Sequence, residues 1–329
     1  MLEIKDLCIQ LGDFFLDHVS FQVNKGEFFI ILGPTGAGKS VVVETIGGIL
    51  QPDQGQILMH QKDITKKPPE LRNMSLCYQD YILFPHMTVE ENIRYGMTYK
   101  KDTDPDLFYR LIDRLKIRSL LTRNPENLSG GEKQRVSIAR AMIILPEVLL
   151  LDEPLAALDS HIKDQLMRDI KQIHQDFKMT TIMITHSFQE AFFLGERGCI
   201  IHEGKVLQTG SMEEIFIHPN SPFVSNFVGL KNVFHSDLFR EIPVESPYFG
   251  IRPENIKLEN TTTDYSYQGT IEEINDMGSF YELTILSRIG KITALLMISD
   301  YIQKNLITNT DIVFGFNLKD LIPIQQYYS

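Results

Sequence analysis

Three short stretches of the chain are apolar, or nearly so, at every position: FFIIL at residues 28–32, VLLL at 148–151 and TIMIT at 181–185. Such runs do not alternate, so they predict strands buried on both faces, as in a parallel sheet covered by helices. Each run gives way to polar chemistry: GPTGAGKS after the first, Asp152 and Glu153 after the second, His186 after the third. Ligands of open α/β sheets bind at the carboxyl ends of strands. Three strand ends are therefore expected to meet at one site.

Between Gln79 and Leu128 the pattern turns helical. In DPDLFYRLIDRLKIRSLL, residues 104–121, Leu107, Leu111, Ile112 and Leu115 share one apolar face. This predicts a helical insert between sheet elements. After Gly229 the period changes again, to alternation in TIEEI and FYELTIL with turn residues in NDMGS and SRIGK. Residues 231–329 are expected to form a small, barrel-like antiparallel β domain.

A length of 329 residues suits two domains. The net charge of −11 leaves no basic excess for displacing counterions, so nucleic acid is not an expected partner. Cys8, Cys77 and Cys199 are odd in number, far apart and without a CxxC pair; they are expected to be reduced and partly buried, not paired or metal-bound. The first residues, MLEIKDLCIQ, lack a signal-peptide core. No window approaches the ~20 apolar residues that cross a bilayer, and AMIILPEVLLL is broken by Pro146 and Glu147. The expectation is a soluble chain whose membrane role, if any, runs through a partner.

GPTGAGKS, residues 33–40, matches the phosphate-binding pattern G-x-x-x-x-G-K-[ST] and sits after a strand and before a helix. Gly33, Gly36 and Gly38 let backbone amides curl around the β- and γ-phosphates, with Pro34, Thr35 and Ala37 completing the loop. Lys39 adds a fixed positive charge and the Ser40 hydroxyl is a Mg²⁺ ligand. Asp152 is placed to hold the Mg²⁺ shell and Glu153 to polarise an attacking water. A lone histidine is usually structural, but beside a γ-phosphate site His186 can donate to the terminal phosphate. In NLSGGEKQR, Ser129 is a helix N-cap and Glu132 stands at its capping-box position. Gly130 and Gly131 leave bare amides at that helix start, which makes a second anion pocket.

Taken in order, these segments resemble the motifs of the ATP-binding cassette (ABC) ATPases. GPTGAGKS is similar to Walker A, Gln79 in CYQD to the Q-loop, and LSGGEKQR to the family signature. VLLLDEP is similar to Walker B, LAALD (155–159) to the D-loop and His186 to the switch histidine. The resemblance implies an α/β P-loop NTPase cassette over residues 1–229, mostly parallel in its sheet, with a helical subdomain at about 80–128. It implies ATP and Mg²⁺ as ligands, with Ser40, Gln79 and Asp152 around the metal and Glu153, His186 and Gln79 in catalysis. In that family two cassettes pair head to tail, and Ser129, Gly130 and Gly131 complete the neighbour's site. With a single cassette here, a homodimer is implied.

DYILFPHMTVEENI (80–93) resembles the surface on which importer cassettes receive a permease helix, although Ile82, Leu83 and Phe84 could equally be core. FGIRPENIKL (249–258) resembles the regulatory domain of the maltose, spermidine, iron and molybdate importer ATPases, a β-barrel of the oligonucleotide-binding type, here at 230–329. The compact C-terminus and the cassette text are closer to the molybdate/tungstate branch. The implied protein is the ATPase subunit of an importer, peripheral on the cytoplasmic face of the membrane and bound to permease subunits, serving a solute-binding protein indirectly. Its solute is expected to be molybdate or tungstate, with spermidine/putrescine, ferric iron, sulfate or sugar as alternatives. ABC ATPases of DNA repair carry a longer insert, and those of translation usually carry two cassettes; a P-loop kinase or GTPase leaves LSGGEKQR unexplained. Two departures stand out: Ala156 replaces a common D-loop serine, and the adenine-stacking aromatic falls near Leu11, leaving Leu11, Phe14 or Phe15 to pack the base.

Overall fold

The computed structural model describes residues 1–99, 105–156, 158–239, 241–243, 245–259 and 262–325. The chain divides into two units, Met1–Met212 and Glu213–Ser329.

In the first unit an antiparallel sheet is built from β1 (Leu2–Leu11), β2 (Phe14–Val23), β4 (Gln54–Met59) and β5 (Lys62–Asp63), in the order β2-β1-β4-β5. A second sheet runs β10-β9-β3-β8-β7-β6. Its strands are β3 (Phe28–Leu32), β6 (Met74–Cys77), β7 (Val148–Asp152), β8 (Thr180–Thr185), β9 (Arg197–His202) and β10 (Lys205–Ser211). All its pairings are parallel except β9 with β10. The three apolar runs are the adjacent central strands β3, β8 and β7, and every residue of each is buried. Burial on both faces accounts for the missing alternation.

The two sheets share one core. Phe21 of β2 stacks on Phe29 of β3 with ring centroids 5.1 Å apart, and Val42, Val43 and Ile46 of α1 (Lys39–Gly47) join it. Four more helices precede β8: α2 (Val89–Arg94), α3 (Pro105–Arg114), α4 (Gly130–Met142) and α5 (Ser160–Phe177). The helical insert is present, and Leu107, Leu111, Ile112 and Leu115 are each buried to 1% exposure or less. A short helix, α6 (Phe188–Leu194), follows β8. Cys8, Cys77 and Cys199 are all free and buried, more deeply than their sequence context suggests.

The second unit holds the rest of α7 (Met212–Ile217), α8 (Pro222–Phe227) and two antiparallel sheets. One is β11 (Asn232–His235), β12 (Tyr248–Ile251) and β18 (Leu321–Ile324). The other, in the order β13-β17-β14-β15-β16, contains β13 (Lys257–Leu258), β14 (Tyr265–Asp276), β15 (Phe280–Ser287), β16 (Gly290–Met297) and β17 (Asp311–Phe316). The last helix, α9 (Ile298–Lys304), follows β16. NDMGS and SRIGK turn β14 into β15 and β15 into β16. Phe239, Phe249, Phe314 and Phe316 anchor this unit's own core. Among the described residues, no helix is long and apolar enough to cross a membrane.

Candidate functional site

The loop after β3 curls because glycine lets it. Gly36 and Gly38 take φ of 82° and 99°, angles that L side chains rarely adopt. A Cβ on Gly33 would lie 2.2 Å from the Ile201 carbonyl oxygen, and one on Gly38 would lie 2.4 Å from the Phe14 ring. Gly38 is the N-cap of α1, and no side chain caps that helix. Its first amides are left for an anion. The Lys39 ammonium is buried and donates to the carbonyls of Gly33 at 3.0 Å and Pro34 at 2.9 Å.

From Lys39 the polar contacts reach the other two strand ends. Lys39 Nζ lies 3.4 Å from Glu153 Oε1, and Glu153 Oε2 lies 2.9 Å from His186 Nδ1. An ionised carboxylate only accepts, so Nδ1–H donates and Nε2 is left for another partner. Glu153 has φ 42°, a left-handed angle that costs about 1–2 kcal/mol and that functional sites commonly carry. Asp152 instead accepts from Ser40 Oγ at 3.2 Å.

The electrostatics of this corner are anionic. Burial raises the Asp152 carboxyl above its ordinary range; the Ser40 hydrogen bond and Lys39 pull it down, Glu153 and Asp80 push it up, and burial decides the direction. Burial also raises Glu44, and Asp152 adds to the effect. A buried carboxylate beside a hydroxyl, in a corner with surplus negative charge, is a hard oxygen donor set that fits Mg²⁺. Gln79 stands next to Asp80 in the turn after β6 but is exposed. Among the described residues, no hydrogen bond joins its side chain to Ser40 or Asp152.

Ser129 stands apart from this cluster. It caps α4 through a full capping box: its hydroxyl accepts from the Glu132 amide at 3.4 Å, and Glu132 Oε2 accepts from the Ser129 amide at 2.8 Å. Within the described residues no hydrogen bond links Ser129, Gly130 or Gly131 to residues 33–40. Gly131 has a packing reason of its own, since a Cβ there would meet Ile162 Cγ2 at 2.6 Å.

Other candidates fall out as follows. Phe14 covers Gly38, whereas Leu11 and Phe15 are exposed. Ile82 is 54% exposed and Leu83 and Phe84 are half-buried, so this segment is not core. Its backbone is held by Arg140 of α4, which donates to the carbonyls of Ile82 at 2.7 Å and Tyr81 at 3.2 Å. Of LAALD, Ala157 lies outside the described residues. Two buried carboxylates escape motif reading. Glu190 meets Thr185 and Lys163, and Asp169 meets Arg135 and Lys116. The string SFQE at 187–190 could have flagged Glu190 as a capping-box glutamate, yet its carboxylate is used elsewhere.

A model of the ABC transporter family matches residues 16–156. The molybdate/tungstate import ATP-binding protein of Pyrococcus horikoshii is 40% identical over 305 residues, covering 87% of this chain and 88% of that protein. The spermidine/putrescine import ATP-binding protein of Borreliella afzelii is 35% identical over 308 residues, covering 87% and 88%. Among solved structures, a dimeric ATP-binding cassette in a post-hydrolysis state with ADP and Pi superposes with a TM-score of 0.56 at 27% identity, covering 64% of this chain and 99% of that one.

Proposed function

The chain belongs to the ABC transporter family, and from that membership we propose that it is the ATP-hydrolysing subunit of an importer for molybdate or tungstate. The observation that carries the hydrolytic part is the chain of contacts Lys39–Glu153–His186 beside Ser40–Asp152. It joins three strand ends around one anion-ready helix start. The likeness to molybdate/tungstate import proteins at 38–40% identity over 84–89% of the chain supports the solute; spermidine/putrescine import proteins match at 35–37% over 85–87% of it, and at 40% over 67%.

In this reading residues 33–38 and Lys39 hold the β- and γ-phosphates. Glu153 polarises the water that attacks the γ-phosphorus, and the bond to the β–γ bridging oxygen breaks to give ADP and phosphate. His186 is held by Glu153 so that Nε2 faces the terminal phosphate. Mg²⁺, carried by Ser40, Asp152 and Gln79, would neutralise charge on the phosphate oxygens. Ser129, Gly130 and Gly131 serve the site of a second copy, so the active species is a homodimer. ATP occupancy shifts it between open and closed forms.

Segment 80–93, with Ile82 exposed, is the surface offered to integral-membrane permease subunits, and in this reading the protein is peripheral on the cytoplasmic face of the membrane. A solute-binding protein engages the permease from the other side. Residues 230–329 form the regulatory domain, a barrel of the oligonucleotide-binding type. Its cations are mostly engaged: Arg252 with the Phe216 carbonyl and ring, Lys291 with Glu272, Arg288 over Tyr267. A regulatory oxyanion would therefore rely on amides and hydroxyls.

The deciding experiment is ATP turnover by the reconstituted transporter in liposomes, with its binding protein and a panel of molybdate, tungstate, sulfate, ferric iron, a sugar and spermidine. Stimulation by molybdate or tungstate alone is expected. Stimulation by spermidine alone would replace the solute while leaving the ATPase intact.

A further inference from the structure

Glu190, in α6, is a carboxylate at 3% exposure. Its two oxygens face different elements. Oε2 accepts from the Thr185 hydroxyl at 2.5 Å, and Thr185 immediately precedes His186. Oε1 pairs with the Lys163 ammonium of α5, in the first turn of a helix capped by Asp159 at 3.1 Å. The segment that ends at Asp159 begins at Glu153. The contacts therefore run from Glu153 to His186, along the backbone to Thr185, across to Glu190 and on to Lys163, which follows Glu153 by ten positions in the chain.

Lys163 keeps 29% of its side chain exposed, so solvent screens the attraction, and burying the Glu190 charge costs desolvation energy; the pair is a poor means of stabilising the fold. The position of this one, between the loops that bear Glu153 and His186, gives it another use.

We propose that Glu190 is a positioning residue for ATP hydrolysis, fixing the spacing of the Glu153 and His186 loops through Thr185 and Lys163. It rests on the reading of Glu153 and His186 as the hydrolytic pair. The carboxylate serves because it accepts at both oxygens at once; glutamine keeps the volume and loses the charge that holds Lys163. Small displacements of reacting groups are costly, up to about 10²-fold for 1 Å.

The test is steady-state ATP turnover by the full-length protein, with kcat and KM separated and folding checked by thermal melts. Glu190→Gln, Lys163→Met and Thr185→Val are each expected to lower kcat by about tenfold with KM for ATP changed less than about twofold, whereas Thr185→Ser retains kcat. The Glu190→Gln/Lys163→Met double variant is expected to be no worse than the worse single one, since both cut the same link. Unchanged kcat in folded Glu190→Gln, with Glu153→Gln inactive, would overturn the positioning role alone. Full turnover in Glu153→Gln would instead remove the reading beneath it. Multiplicative losses in the double variant would show two independent effects and no shared link.

Discussion

His186 Nδ1 sits 2.9 Å from Glu153 Oε2, although the two residues are 33 positions apart in the chain. Because the second oxygen of Glu153 faces Lys39 at 3.4 Å, one carboxylate joins the loop of the first apolar strand to the ends of the other two. Replacing His186 with alanine is expected to lower kcat by about 10² or more, the scale of a lost proton-transfer or orienting group, while ATP binding persists. Nucleotide titration set against turnover separates the two quantities.

Glu153→Gln is expected to keep ATP binding and lose turnover by about 10²–10⁴. With hydrolysis blocked, the closed dimer should accumulate in Mg-ATP. Light scattering detects it, and a monomer at saturating ATP would break the link between occupancy and closure.

Ser129 lies outside the hydrogen-bonded cluster of its own chain. Ser129→Arg should therefore abolish turnover while each subunit still binds ATP. Mixing it with an inactive Lys39→Ala variant is expected to restore part of the activity, because one heterodimer site is then assembled from two intact halves. No recovery in a mixture shown to form heterodimers would count against completion in trans.

Asp152 ties function to stability. Its carboxyl is raised by burial, then by Glu153 and Asp80, so its ionised form opposes folding. The sign follows: relative to the unfolded chain, the group favours the fold at pH below the ordinary carboxylate value of ~3.9, and that contribution is lost as pH climbs through the raised value. At neutral pH Asp152→Asn is expected to stabilise the nucleotide-free protein by about 0.5–2 kcal/mol, the usual gain when a functional charge is removed. The difference should close as pH falls through the raised pKa. Added Mg-ATP should raise the melting temperature of the parent protein and leave the variant nearly unmoved.

Gly38→Ala combines a left-handed angle with a ring 2.4 Å from the new methyl group. A cost of more than about 1–2 kcal/mol is expected, since the angle alone accounts for that much. Urea unfolding measures it; a loss under 0.5 kcal/mol would mean that neither the angle nor the Phe14 ring resists the methyl group.

The sequence by itself determined the strands, the loop and the order of the site. Unbroken apolar runs have one comfortable home, between two covering layers, and G-x-x-x-x-G-K-[ST] is legible because phosphate recognition by backbone needs glycine at fixed offsets. The alternation after Gly229 showed an antiparallel unit for the same local reason. Local pattern carries no information on pairings across distance. Only the folded chain put β8 between β3 and β7, which brings His186 to Glu153. It also gave the two carboxylates different partners, Ser40 for Asp152 and Lys39 with His186 for Glu153. Gly131 turned out to be required by Ile162 as well as by any ligand, and Ile82 lies outside the core. The SFQE string marks Glu190 only as a helix-start residue; the partners of its carboxylate stand on two other elements, and an ion pair acquires its meaning from the elements it joins.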